Sequence, residues 1–89
     1  MKIKKGFVLR EVCGQNVIVG EGLEAINFGR MLSLNDTAAW IWKEAMKEGE
    51  FTADTLAVAM CEEYDVSPER ALADIKATLE QWLDLKVIE

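Results

Sequence analysis

An α+β fold, with a small antiparallel sheet ahead of three helices, follows from three features of the chain. The first third carries short β-rich apolar runs broken by glycines. The remainder carries apolar residues at helical spacing, and each helical stretch opens on a recognisable N-cap residue.

The elements can be placed in order. Residues 7–13 and 16–20 are apolar and β-rich, and Gly14-Gln15 between them reads as a two-residue loop with Gly first, as a type II′ hairpin prefers. Gly20, Gly22 and Asn27 mark the connection to a third strand over 29–34. No further strand follows, so that third strand is expected at an open edge able to accept another chain. Asn35 then offers its side-chain oxygen to the N–H of Thr37 or Ala38, and Asp36 places negative charge in the first helical turn.

The first helix is expected over 36–47, stopped by Gly49, with an apolar stripe of Ala38, Ile41, Trp42, Ala45 and Met46. The second begins after Thr52, a reasonable N-cap, with Leu56, Ala59, Met60, Glu63 and Tyr64 giving a partly apolar face. The third starts most clearly, with Ser67 as N-cap, Pro68 at the first helical position and Glu69 in the first turn. Ala71, Leu72, Ile75, Leu79, Trp82 and Leu83 form its broad stripe, and Lys86-Val87-Ile88 is placed to return along the core. Trp42 and Trp82 read as core; Trp40 lies off its helix's stripe and is open to a partner contact, a dimer contact or partial packing at the surface. The order of hairpin, third strand and three helices is winged-helix-like.

Composition narrows the function. Eighty-nine residues make one small domain, expected over 1–89, with a single core supplied by three Trp, three Phe, one Tyr and many aliphatic residues. No run approaches the ~18 apolar residues of a membrane span, and the basic start lacks the features of a signal peptide, so a cytoplasmic protein is expected. Cys13 and Cys61 read as two buried, reduced thiols. The net charge is −6, yet Lys2, Lys4, Lys5 and Arg10 open the chain without an acid among them. Residues 44–69 carry Glu44, Glu48, Glu50, Asp54, Glu62, Glu63, Asp65 and Glu69 against Lys47 alone. Solvated surface accounts for both clusters. An acidic surface repels phosphate backbones, which argues against nucleic acid as partner.

Catalytic apparatus is missing from the inventory. The chain has no His, the commonest general base near neutral pH and the commonest metal ligand, and it has no Gly-rich phosphate loop. No metal site, cofactor or enzymatic activity is expected of it.

GFVLREV near the start, FGRMLSLNDTAAWIW in the middle and EEYDVSPERALADIKATLEQWLDLKVI at the end together resemble the PqqD-like proteins. The most specific pieces are Leu34, Asn35, Thr37 and Trp42, followed by Tyr64-Asp65-Val66; where many relatives have Gly after the Thr, this chain has Ala38. The resemblance implies a domain that recognises leader peptides of ribosomally made, later modified peptides. The leader would add as an antiparallel strand on the third strand and lie between that strand and the third helix. Carried onto this chain, the pairing strand is Gly29, Arg30, Met31, Leu32 and Ser33, with Arg30 as a charged anchor for a leader carboxylate. The groove's other wall would be Ala71, Leu72, Ile75, Lys76 and Leu79. The implied partners are a precursor peptide and a modifying enzyme, often of radical S-adenosylmethionine type, and the protein itself is expected to be a monomer or weak homodimer. Alternatives are a non-catalytic subunit or homodimer joined through the sheet edge, and a winged-helix DNA-binding protein.

Overall fold

A computed structural model describes residues 1–21 and 32–89. The order of elements is β1 (Phe7–Val12), β2 (Gln15–Gly20), β3 (Leu32–Leu34), α1 (Asp36–Glu48), α2 (Ala53–Glu63) and α3 (Pro68–Asp84). The three strands form an antiparallel sheet in the order β1-β2-β3, so the α+β class expected from sequence is the one observed.

The hairpin turns one residue earlier than expected. Val12 pairs with Gln15, which leaves Cys13 and Gly14 as the loop, with φ of 52° and 77°. Two consecutive positive φ values are the pattern of a type I′ turn, whose twist matches that of the strands, whereas type II′ needs only its first residue there. The glycine therefore takes the second position and Cys13 tolerates the first. This placement leaves Cys13 exposed, not buried as expected, while Cys61 is half-buried; neither thiol is in a disulfide.

Residues directly opposite each other share a face of the sheet. Leu9, Ile18 and Leu32 therefore form one row facing the helices, with Phe7 and Leu34 on the same face. Arg10, Val17 and Ser33 form a row on the other face.

Each helix starts where its cap dictates. Asn35 accepts from the Ala38 N–H at 2.8 Å. Thr52 and Thr55 cap α2 reciprocally, and Thr55 also donates its hydroxyl to Glu48 at 2.6 Å, tying the end of α1 to the start of α2. Ser67 caps α3 ahead of Pro68. The stripes predicted on α1 and α3 are buried with shifts at their margins, whereas on α2 Leu56, Ala57 and Met60 are buried, Ala59 is half-buried, and Glu63 and Tyr64 are exposed. Ala39 is buried in α1 while Met46 is 56% exposed, and Leu83 in α3 is 44% exposed. The core centres on Trp42 and Trp82, whose rings meet edge-to-face at 5.2 Å. Trp40 is half-buried and packs edge-to-face on Tyr64 at 5.5 Å.

The chain after α3 returns along the core, as expected, through a specific turn. Lys86 has φ of 63°, the Lys86 N–H donates to the Leu83 carbonyl, and the Val87 N–H donates to the Trp82 carbonyl at 3.1 Å. This is the Schellman pattern of helix termination. It sends Val87 and Ile88 into the core, where both are buried. Ile3 pairs with Ile88 across an antiparallel bridge, with Lys2 and Glu89 exchanging backbone hydrogen bonds at 2.8 Å. The basic start of the chain is thus a structural strand segment as well as a solvated one.

A lysine in the left-handed region costs about 1 kcal/mol or more relative to glycine, because its Cβ approaches the following carbonyl. Lys86→Gly is expected to stabilise the fold by about 1 kcal/mol, read as a higher urea midpoint with unchanged slope. An unchanged or lower midpoint would show that the Lys86 conformation carries no strain.

Candidate functional site

The clearest opening bordered by the sheet lies between β3 and α3. It is a groove of about 430 Å³ whose first wall is Leu32, Ser33 and Leu34. The N-terminal turn of α1 closes one end through Asn35, Thr37 and Ala38, and Asp74, Ala77, Thr78 and Gln81 of α3 form the second wall. Trp82 and Ile41 reach the lining from the core.

Ladder parity sets the chemistry of the strand wall. A two-residue hairpin loop is flanked by a hydrogen-bonded pair, here Val12 and Gln15, and bonded and non-bonded pairs then alternate along the strands. Asn16 and Ile18 consequently direct their backbone groups toward β3, where they meet Leu34 and Leu32. Val17 and Ser33 form a non-bonded pair. The backbone N–H and C=O of Ser33 therefore point away from β2, to an edge with no partner strand among the described residues. Its side chain lies on the face opposite Leu32 and Leu34 and is exposed.

The helix wall is mixed in character. Asp74 sits 3.7 Å from Arg70 on the same helix, and Thr78 donates its hydroxyl to the Asp74 carbonyl at 3.0 Å. Ala77 contributes no bulk, which keeps the middle of that wall low. Asn35 is occupied as the cap of α1, so its role at the groove's end is to fix where the helix begins.

The residues proposed from sequence are divided by the structure. Leu32 and Ser33 line the groove. Gly29, Arg30 and Met31 lie outside the described residues. Ala71, Ile75 and Leu79 do not form the groove's wall: all three are buried in the core. Leu72 is half-buried and lines a different depression, between α2 and α3. Lys76 is exposed and falls roughly 150° around the helix from the centre of the groove wall, at 100° per residue. The physical reason is common to these five. The broad apolar stripe of α3 faces the interior, and the groove uses the flank beside it.

That flank was readable in principle. Asp74, Ala77, Thr78 and Gln81 stand at i, i+3, i+4 and i+7, a second stripe of small and polar residues alongside the apolar one. Thr37 and Ala38 enter only because Asn35 starts α1 at the end of β3.

Among the described residues no group of three or more His, Cys, Asp or Glu could hold a metal ion. No helix among them is long and apolar enough to cross a membrane. What the groove offers is a strand edge with no partner among the described residues, and the hydrogen-bonding side chains of Ser33, Thr37, Asp74, Thr78 and Gln81.

The family model described as coenzyme PQQ synthesis protein D (PqqD) matches residues 14–88 of the chain. The protein belongs to the PqqD family. Among solved structures it is similar to one described as TbiB1 in complex with the TbiA(beta) leader peptide, with a TM-score of 0.80 and 19% identity. That match covers 100% of this chain and 95% of the other. A lasso peptide synthetase B1 complexed with the leader peptide matches with a TM-score of 0.73 and 20% identity, covering 98% and 93% of the two chains. At these identities the likeness establishes a shared fold. Among curated proteins no sequence match reaches significance.

Replacing Asn35 with Ala is expected to cost about 1 kcal/mol, the usual value of an N-cap. Chemical denaturation measures it, and a loss below about 0.3 kcal/mol would show that the junction of β3 and α1 does not depend on the cap.

Proposed function

We propose that this chain is a non-catalytic recognition domain that captures the leader segment of a precursor peptide and presents it to a modifying enzyme. The peptide adds as an extended strand along the open edge of β3 and lies in the groove against α3. One observation carries this reading: the outward N–H and C=O of Ser33 stand at an edge with no partner strand among the described residues, beside the groove along α3. Backbone pairing supplies affinity tolerant of sequence, and the positions lining the groove select alternate side chains.

Two findings support it independently. The chain is a PqqD family member, and both similar structures named above were described with a leader peptide bound. Leu32 and Leu34 anchor the strand from beneath, leaving the edge available. The pairing in this proposal includes Gly29, Arg30 and Met31 besides Leu32 and Ser33, with Arg30 as the group that meets a leader carboxylate. Presentation then works by effective concentration, since a bound leader holds the attached core peptide near the enzyme. The DNA-binding alternative has little support: the net charge is −6, and α3 carries Glu69, Asp74, Glu80 and Asp84 against Arg70 and Lys76.

Two substitutions test the site with little disturbance of the fold. Proline is tolerated on an edge strand where its missing N–H faces solvent, so Ser33→Pro removes a donor from the open edge and none from the ladder. Ala77 is exposed on α3, and Ala77→Trp fills the groove. Each is expected to weaken binding of a fluorescently labelled leader peptide, taken from a precursor encoded beside this gene, by about tenfold or more. Anisotropy reads the affinity and circular dichroism the fold. Folded variants that bind as wild type does would exclude strand addition at this edge.

A further inference from the structure

A second groove runs between α2 and the start of α3, and its character is opposite to the first. It measures about 410 Å³, and its floor and walls are Ala57, Val58, Cys61, Pro68 and Leu72, with Asp54 and Glu62 at its rim. Val58 is 61% exposed and Leu72 half-buried, so apolar surface remains uncovered there. On α2 the lining residues stand at i, i+3, i+4, i+7 and i+8 from Asp54, a continuous face of the helix. None of the ion pairs among the described residues involves Asp54 or Glu62. The whole of α2 carries Asp54, Glu62 and Glu63 and no base. An apolar trough with unpaired acids at its rim matches a helix with an apolar face and basic flanks.

We infer that this groove docks a basic amphipathic helix of a partner protein, the modifying enzyme that receives the peptide. The inference rests on the leader-binding reading for its biological role, because a domain that hands over a peptide must touch its recipient on another face. The fold provides that separation. Leu72 and the groove wall at Ala77 and Gln81 are roughly 140–180° apart around α3, at 100° per residue. The helix therefore stands between the two grooves, and both can be filled at once. Val58 is the apolar anchor, and Asp54 and Glu62 set the charge preference.

The test uses the full chain, isotopically labelled, titrated with a synthetic 14-residue amphipathic helix of Leu and Lys and, separately, its Leu and Glu counterpart. The expected result is saturable amide shifts at Ala57, Val58, Cys61 and Leu72 with the basic helix alone. Val58→Lys is expected to weaken that binding by about tenfold or more, while Glu80→Lys on the exposed surface of α3 changes it by no more than about twofold. Shifts scattered over the acidic surface, or equal sensitivity to the two substitutions, would overturn the proposal, as would shifts centred on Ser33 and Ala77. Self-association that Val58→Lys dissolves would assign the groove to a second copy of the chain and likewise overturn it. Leader binding distinguishes the two readings: Val58→Lys leaves it unchanged, whereas Ser33→Pro weakens it by about tenfold or more without affecting the basic helix.

Discussion

The edge-to-face contact of Trp42 with Trp82 is the constraint on which the rest of the molecule depends. Trp42 belongs to α1, which Asn35 joins directly to β3; Trp82 belongs to α3 and reaches the groove lining. The distance between the strand edge and the helix wall is therefore set by two rigid rings, and the width of the groove with it. Both rings are buried, and the indole Nε1 of Trp42 has no hydrogen-bond partner among the described residues. A buried unpaired donor costs about 1–3 kcal/mol, so ring packing at this point outweighs an appreciable penalty. An aromatic pair of this geometry contributes about 0.5–1.5 kcal/mol beyond its buried area.

Around that contact the chain ends close the structure. The Schellman turn at Lys86 redirects the backbone beyond Trp82, and Val87 and Ile88 complete the core. Ile88 then pairs with Ile3, while the Met1 carbonyl accepts from the Phe51 N–H at 2.7 Å. Residues distant in sequence thus hold one another, and the first and last few positions are part of the packing. The same arrangement brings Lys2 within 3.5 Å of Glu89, an exposed ion pair worth little in itself.

The two grooves flanking α3 give the helix a double role. Its apolar stripe, Ala71, Ile75, Leu79 and Trp82, fastens it to the core. One flank is small and polar and meets a strand edge; the other, with Leu72 and Pro68, is apolar and meets the acidic α2. The two proposed sites, one reading backbone and the other side chains, can share one small protein because they make different demands. The first needs an unpaired ladder and little bulk, the second an uncovered apolar surface with charge at its rim.

The starts of all three helices were legible in the chain itself, because Asn35, Thr52 and Ser67 act through bonds to residues three positions away. So was the order of strands before helices, since alternation and helical spacing are local patterns. The hairpin loop was misplaced by one residue because Gly14 fits a positive-φ position in either turn type, and the ladder, not the loop, chooses between them. The flank of α3 that borders β3 was not legible for a related reason. Periodicity identifies the apolar stripe of α3 but not which flank meets β3 and which meets α2. That is decided by the packing of Trp42 on Trp82 and of α2 along α3, contacts between residues far apart in sequence. The sequence alone therefore determined where elements begin and which face of each is apolar. Only the tertiary structure decided that Asp74, Ala77, Thr78 and Gln81 look onto the open strand, because a groove belongs to two elements at once and no single stretch of chain encodes their meeting.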